Sequence, residues 1–167
     1  MSLTLILTRH AKSSWHDATL DDFDRPLNGR GKKSAAAIGV WLAERDLVPG
    51  EVYVSGARRT VDTWSGIAAA FPSAPPMRSD PALYHASAPT ILRVLRTATA
   101  PIAMVIAHNP GIGEFAERIV SEPPDDARFL AYPTGATSVI QFPATDWHDV
   151  DWAQGQIVEF LAPRDIV

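Results

Sequence analysis

The chain of 167 residues contains no cysteine. Disulfide bonds, thiolate catalysis and cysteine-ligated zinc or iron–sulfur sites are therefore excluded. Long apolar runs are also missing: no stretch approaches the ~20 residues of a membrane span, and no basic segment precedes an apolar one at the N-terminus. These absences lead us to expect a cytoplasmic protein that binds no membrane.

Concentrated positive charge is scarce as well. The net charge is −4, and no basic run is longer than Lys32-Lys33. Binding to nucleic acid by counterion release needs a dense basic face, so nucleic-acid partners are not expected. Any anion must be bound by a few well-placed cations. The apolar fraction of 46% is ordinary for a globular protein, and we expect one domain over residues 1–167, as a monomer or small oligomer.

Segments typical of strands and helices alternate along the chain. Continuous apolar runs, as expected for central strands covered on both faces, lie at 3–8 and 101–108. Further strands are predicted at 51–55, 137–142 and 156–162, and helices at 30–46, 57–71, 88–98 and 111–120. The alternation predicts an α/β sandwich with a mostly parallel sheet.

Polar side chains follow three of the predicted strands at the point where each strand ends. They are Arg9-His10, the segment SGARR at 55–59, and His108-Asn109. Ligands of open α/β sheets bind beyond the carboxyl ends of the strands, so these groups are expected to meet in one cleft.

The chemistry of these side chains favours phosphate. Guanidinium groups form paired hydrogen bonds to phosphate, each contributing on the order of 1.5–3 kcal/mol. A neutral imidazole among them can attack phosphorus and form a phosphohistidine, while the cations stabilise the charge of the transition state. Arginine supplies the positive charge, and no HxH or HExxH spacing occurs, so neither a metal nor another cofactor is expected.

The polar segment 11–29 is predicted to be a long functional loop. Lys12 and Arg25 lie in it, and either could reach an anion near His10. Asp24 is expected to pair with a neighbouring cation, and Asn28 to cap the following helix. His16 and His148 are expected at the surface.

The motifs LILTRHAKSSW, DFDRPLNGRG, SGARRTVDT and VIAHNPGI resemble the histidine phosphatase superfamily, and within it the SixA-type phosphohistidine phosphatases. The resemblance covers nearly the whole chain. It implies a phosphoglycerate-mutase-like fold, a three-layer sandwich in which helices flank a mixed, mostly parallel sheet.

The resemblance also implies residue roles. His10 would be the phosphorylated nucleophile, Arg9 its phosphate-binding neighbour, and His108 the second catalytic histidine. The family's spacing places the next phosphate-binding arginine four residues after Ser55, at Arg59, while Arg58 stays open as an alternative.

One departure from the family bears on the substrate. Larger members carry a general-acid carboxylate in a Leu-x-Glu pattern, whereas the corresponding segment here, ALYHAS at 82–87, has none. A phosphoramidate needs such an acid less than a phosphoester does, because its P–N bond is labile. The absence favours phosphohistidine as substrate, and His85 is a candidate replacement acid and substrate-binding residue.

The sequence thus predicts a metal-independent phosphatase acting on phosphohistidine, with a phosphorylated protein such as a phosphotransfer domain as partner. Two alternatives stay open: a phosphatase for small phosphomonoesters, and a non-catalytic module that binds phosphorylated partners. Since His10 must attack as the neutral imidazole, activity is expected to fall as pH drops through the usual histidine range.

Overall fold

The computed structural model describes residues 2–167. Its strands are β1 (Leu3–Arg9), β2 (Glu51–Val54), β3 (Met77–Ser79), β4 (Ile102–Ala107), β5 (Thr137–Phe142) and β6 (Gln156–Leu161). Its α-helices are α1 (Gly29–Ala43), α2 (Arg58–Ala68), α3 (Ala88–Leu95), α4 (Gly111–Ile119) and α5 (Arg128–Ala131). No helix in the described range is both long and apolar enough to cross a membrane.

The strands form one six-stranded sheet in the order β3-β2-β4-β1-β5-β6. Strands β3, β2, β4 and β1 run parallel to one another, whereas β5 pairs antiparallel with both β1 and β6. The predicted mixed, mostly parallel sheet is confirmed.

Apolar side chains cover both faces of the sheet. On β1, Leu5 and Leu7 pack into the core beneath α3 and α4, while Ile6 packs into the core beneath α1 and α2. Alternate residues of a strand point to opposite faces, so a strand buried on both sides needs apolar residues at successive positions, as β1 has at 5–7 and β4 at 102–107. The two helical layers and the sheet form the predicted three-layer sandwich.

Most element boundaries lie within three residues of the prediction. Asn28 caps α1 as expected, because its side-chain oxygen accepts a hydrogen bond from Gly31 N at 2.9 Å. Helix α1 ends before residue 46, where Asp46 has a φ of +55° and leaves the helical conformation. Strand β3 and helix α5 are not among the predicted elements, and they are only three and four residues long.

Candidate active site

The register of the sheet brings the two predicted histidines together. In the parallel pair of β1 and β4, Arg9 lies opposite Ala107, so His10 and His108 are the next residues of adjacent strands. His10 N donates to Ala107 O at 3.1 Å, and the two imidazole centroids are 5.2 Å apart. The carboxyl edge of the sheet therefore places both rings side by side, as expected.

His10 is 6% exposed and has a defined tautomer. Its Nδ1 lies 2.8 Å from Ala11 O, and a carbonyl oxygen only accepts, so Nδ1 carries the proton and Nε2 the lone pair. Burial, joined by the charges of Arg59, Arg9 and Arg25, lowers the pKa of His10 to about 4, against an opposing effect of the Ala11 hydrogen bond. The imidazole is therefore neutral near pH 7, with Nε2 able to act as a nucleophile.

His108 is held by the residue that ends β2. Ser55 Oγ lies 2.7 Å from His108 Nε2, and it also accepts from Ala57 N at 3.2 Å at the start of α2. Burial, together with the neighbouring His10 and the Arg59 charge, lowers the pKa of His108 to about 3. The hydroxyl of Ser55 thus ties the second histidine to the helix that carries Arg59.

The structure separates the two arginines of the SGARR segment. Arg59 is 3% exposed and faces the site, whereas the Arg58 side chain is 59% exposed and pairs with Asp62 at 3.6 Å. Successive residues of a helix point about 100° apart, so only one of the two can face the sheet. Arg58 therefore lies outside the buried part of the site, whereas the position that the family spacing favoured, Arg59, lies within it.

Arg9 approaches the site from the end of β1. Its terminal nitrogen Nη1 donates to Tyr132 O at 3.1 Å, which anchors the guanidinium beside the loop before β5. Burial and the charge of Arg59 lower the pKa of Arg9, so the two guanidinium groups lie close enough for electrostatic repulsion to matter. An anion between them would relieve that repulsion.

Asp22 is a member of the site that no motif in the sequence indicated. One of its oxygens, Oδ2, accepts from Arg59 Nη2 at 2.9 Å and from the Tyr84 hydroxyl at 2.5 Å, and it lies 3.6 Å from His85 Nε2. The other, Oδ1, accepts from Arg25 at 3.0 and 3.1 Å. Partial burial acts against ionisation, but the hydrogen bonds from Tyr84, Arg59 and Arg25 prevail and lower the pKa of Asp22.

Arg25 is buried within the loop rather than directed at the histidines. Besides Asp22 it donates to Ser13 Oγ at 2.8 Å, and its guanidinium stacks on Trp15 at 3.6 Å from the ring centroid. The pairing carboxylate expected at Asp24 is supplied by Asp22 instead, and Asp24 is exposed. Arg25 therefore cross-links the loop and reaches the site through Asp22.

Of the two other predicted substrate-binding residues, His85 lies at the exposed edge of the site and Lys12 lies elsewhere. His85 is exposed, with its ring 5.9 Å from His108 and 4.0 Å from Tyr84, and its φ of +53° is unusual for a residue with a side chain. Lys12 lines a separate surface cavity of about 500 Å³, together with Arg30, Arg128 and Arg164. His16 and His148 are exposed, as expected.

Three buried side-chain nitrogens within residues 2–167 lack a hydrogen-bond partner: Arg9 Nε, Arg59 Nε and His108 Nδ1. Buried polar groups in folded proteins are nearly always paired, so each exception calls for an explanation. All three belong to this one site. In the same range no cluster of three or more histidine, aspartate or glutamate residues has a geometry suited to a metal ion.

Two buried histidines, the buried Arg59 and the half-buried Arg9 meet at the carboxyl edge of a mixed α/β sheet, an arrangement suited to binding a phosphoryl group. The family model of the histidine phosphatase superfamily, branch 1, matches residues 5–88. An uncharacterised protein of Mycobacterium tuberculosis is 30% identical over 165 residues, covering 93% of this chain and 99% of that protein. The chain therefore belongs to the histidine phosphatase superfamily.

A second relative matches a shorter segment. An uncharacterised chloroplast protein of Arabidopsis thaliana is 43% identical over 63 residues, which are 38% of this chain and 29% of that protein. This match spans less than a third of the chloroplast protein, so it says nothing about the remainder of that chain.

Two solved structures share the fold over nearly the whole chain. A candidate phosphohistidine phosphatase SixA from Agrobacterium tumefaciens has a TM-score of 0.79 and 25% identity, covering 96% of this chain and 98% of that one. A second candidate SixA, from Nakamurella multipartitia, has a TM-score of 0.80 and 26% identity, covering 98% and 97%. The expected phosphoglycerate-mutase-like fold is confirmed, and family and neighbours together support a phosphatase.

Proposed function

We propose that this protein hydrolyses phosphohistidine on a partner protein, without a metal, through a covalent phosphohistidine on His10. The observation that carries the proposal is the set of unpartnered nitrogens Arg9 Nε, Arg59 Nε and His108 Nδ1. A phosphoryl group has three oxygens and can satisfy all three nitrogens, given the Nδ1–H tautomer of His108. In that tautomer the Ser55 hydroxyl donates to Nε2.

In the first step, His10 Nε2 attacks phosphorus as the phosphorus–nitrogen bond of the substrate breaks. The departing imidazole keeps the bond's electrons and takes up a proton from solvent. Arg9 and Arg59 are fixed in charge and stabilise the oxygens of the loose transition state. The hydrogen bond from His10 Nδ1 to Ala11 O supports the developing positive charge on the imidazole ring.

In the second step, water attacks phosphorus and gives up a proton to solvent, while the bond to His10 Nε2 breaks and its electrons return to that nitrogen. Inorganic phosphate leaves and neutral His10 is restored. Water is the only co-reactant, and the proton released here balances the one taken up in the first step. The cations remain paired with the phosphoryl oxygens throughout, so the same contacts serve phosphorylation and hydrolysis.

The site contains no suitable acid for an alkoxide leaving group. The segment 82–87 has no carboxylate, and the carboxylate that contacts Tyr84 and Arg59, Asp22, has a lowered pKa and stays ionised near pH 7. A phosphoester needs its alkoxide oxygen protonated, whereas imidazole leaves readily from phosphorus. Two neighbours at 25% and 26% identity bear the name of phosphohistidine phosphatases, which favours the same substrate.

The first experiment is intact-protein mass spectrometry after brief exposure to phosphoramidate, with an alkaline quench. We expect an acid-labile adduct of one phosphoryl group on the wild type and none on His10→Ala, because Nε2 is the attacking atom. Labelling of both proteins would reject His10 as the nucleophile.

Two further results separate the alternatives. Faster turnover of sugar or nucleotide phosphates than of phosphohistidine would select the phosphomonoesterase. Anion binding without any phosphate release would select the non-catalytic module.

The pH dependence expected from the sequence alone needs correction. The buried environment lowers the pKa of His10 to about 4, so the free enzyme keeps its neutral nucleophile well below the usual histidine range. We expect kcat/KM, corrected for titration of the substrate, to stay level from pH 8 to about 5 and to fall below that, since kcat/KM reports on the free enzyme. A fall centred near 6.5 would contradict this assignment.

We further propose that residues 1–167 form one phosphatase domain. The first and last strands, β1 and β6, lie in the same sheet, which supports this division. The cytoplasmic location and the monomeric or small oligomeric state stay predictions.

A further inference from the structure

Asp22 connects groups from three separate parts of the chain. Its carboxylate accepts from Arg25 within the loop, from Arg59 on α2, and from Tyr84 before α3. Its main-chain oxygen also accepts from Arg59 Nη1 at 2.6 Å. No other carboxylate in residues 2–167 forms an ion pair with either Arg25 or Arg59.

Asp22 occupies only some of the hydrogen-bond donors of the Arg59 guanidinium. A guanidinium has five N–H groups, and Asp22 takes one from each terminal nitrogen. The N–H of Nε and one N–H on each terminal nitrogen remain, and Nε is buried without a partner. Asp22 therefore fixes the guanidinium while leaving it three donors.

We propose that Asp22 is a positioning residue, which holds the Arg59 guanidinium by its terminal nitrogens so that the remaining donors bind the phosphoryl group. The proposal rests on the proposed function of the site and deepens it. Asp22 acts on the substrate through Arg59, and Arg25 and Tyr84 hold the Asp22 carboxylate in turn.

The opposite role, a carboxylate that competes with phosphate for Arg59, fits the contacts less well. A competitor must leave when phosphate binds, whereas Asp22 has partners on both oxygens and a main-chain contact to the same arginine. Moving it would leave the buried Arg25 without its ion pair, which is costly.

The test is calorimetric titration of the full chain with inorganic phosphate, comparing Asp22→Asn with Asp24→Asn. Both variants remove one negative charge from the same short turn, and Asp24 is exposed. We expect Asp22→Asn to weaken phosphate binding at least about tenfold, as loss of a charge-assisted hydrogen bond does. We expect Asp24→Asn to stay within about twofold of wild type. Unchanged or tighter binding by Asp22→Asn would overturn the proposal and identify a competitor.

A double-mutant cycle tests whether the effect passes through Arg59. We expect Asp22→Asn to change phosphate affinity no further in an Arg59→Ala background, because the group that it positions is gone. Two losses that simply add would overturn the proposal.

Asp22→Glu keeps the charge and the acceptors but displaces them, and we expect its affinity to fall between wild type and Asp22→Asn. Wild-type affinity in Asp22→Glu would overturn the proposal, and this variant decides the matter if thermal melting shows Asp22→Asn to be unfolded.

Failure of this proposal is distinguishable from failure of the proposed function. If the wild-type protein binds phosphate but hydrolyses no phosphohistidine, the proposed hydrolysis is rejected. The comparison of phosphate affinity between Asp22→Asn and Asp24→Asn then still tests the role of Asp22. Wild-type protein that binds no phosphate would overturn both.

Discussion

Two polar clusters lie at opposite ends of strands β2 and β4. At the amino ends, the carboxylate of Glu51 is 6% exposed and accepts from Thr99 N at 2.8 Å, Ala100 N at 2.7 Å and the Tyr53 hydroxyl at 2.5 Å. The second cluster, which we call the histidine cluster, lies at the carboxyl ends and contains His10, His108, Arg9 and Arg59. Both clusters are buried, and both combine charge with hydrogen bonding.

The clusters differ in how completely they are paired. Each oxygen of Glu51 has at least one donor, whereas the histidine cluster contains all three of the unpartnered buried nitrogens found in residues 2–167. A fully paired buried network rigidifies a fold, and an incompletely paired one costs stability unless a ligand completes it. Burial of charge alone therefore does not distinguish the end of the sheet at which we propose the active site, whereas incomplete pairing does.

The largest effect is expected at Arg59. Arg59→Lys keeps the positive charge but loses the planar fork, and we expect kcat/KM for phosphohistidine to fall about 100-fold or more, as for loss of one preorganised donor. Arg58→Lys is the matched control on the adjacent, exposed residue and should change kcat/KM by no more than about twofold. Equal losses in both variants would mean that helix α2, rather than the Arg59 side chain, is responsible.

At the cluster around Glu51 we expect an intermediate effect, which changes stability and not activity. Burial opposes ionisation of Glu51, but hydrogen bonds from Thr99 and Tyr53 lower its pKa to about 2. Because the folded-state pKa is depressed, the stabilisation is present above the unfolded pKa and is lost as pH falls toward 2. We expect Glu51→Gln to lower the free energy of unfolding by about 2 kcal/mol in urea denaturation at pH 7.

The same variant sharpens the contrast between the clusters. We expect Glu51→Gln to leave kcat/KM within about twofold of wild type, because its contacts lie at the far end of the strands. A loss of kcat/KM as large as that expected for Arg59→Lys would break the distinction.

A third effect, again on stability, comes from burial of the two histidines. Burial lowers the folded-state pKa values of His10 and His108 to about 4 and about 3, so acidification protonates these residues first in the unfolded chain. Stability should therefore decline as pH falls from about 6.5 toward 4, by at most about 1.4 kcal/mol per pH unit for each histidine. Urea denaturation between pH 7 and 5 should show a shallower decline in His10→Ala than in wild type.

His148→Ala is the control for this measurement, since it removes one imidazole from an exposed position. A decline as steep in His10→Ala as in wild type would show that burial of His10 carries no such cost.

The strand ends could be predicted because their signals are local. The apolar run of β4 stops directly before His108, and β1 ends at Arg9, directly before His10, so the parallel sheet alone brings the two histidines to one edge. Arg58 and Arg59 could not be separated in this way. Their sequence positions are adjacent, and only the orientation of α2 on the sheet decides which one is buried.

No local sequence pattern indicated that Asp22 belongs to the site. It is one of four aspartates in the loop between β1 and α1, and its role depends on contacts with Arg59 and Tyr84, which are 37 and 62 residues away. Strand β3 was missed for a related reason. Its residues Met77–Ser79 are all exposed at the sheet edge, so they show no apolar alternation.

The pairing of Arg9 with Ala107 has a consequence for how this chain can change during evolution. A one-residue insertion or deletion within β1 or β4 would reverse the faces of the side chains beyond it and separate the two histidines. Segments that connect the strands, such as residues 144–155 between β5 and β6, carry no such constraint. Length variation among relatives should therefore accumulate in the connections, while the lengths of β1 and β4 up to their histidines stay fixed.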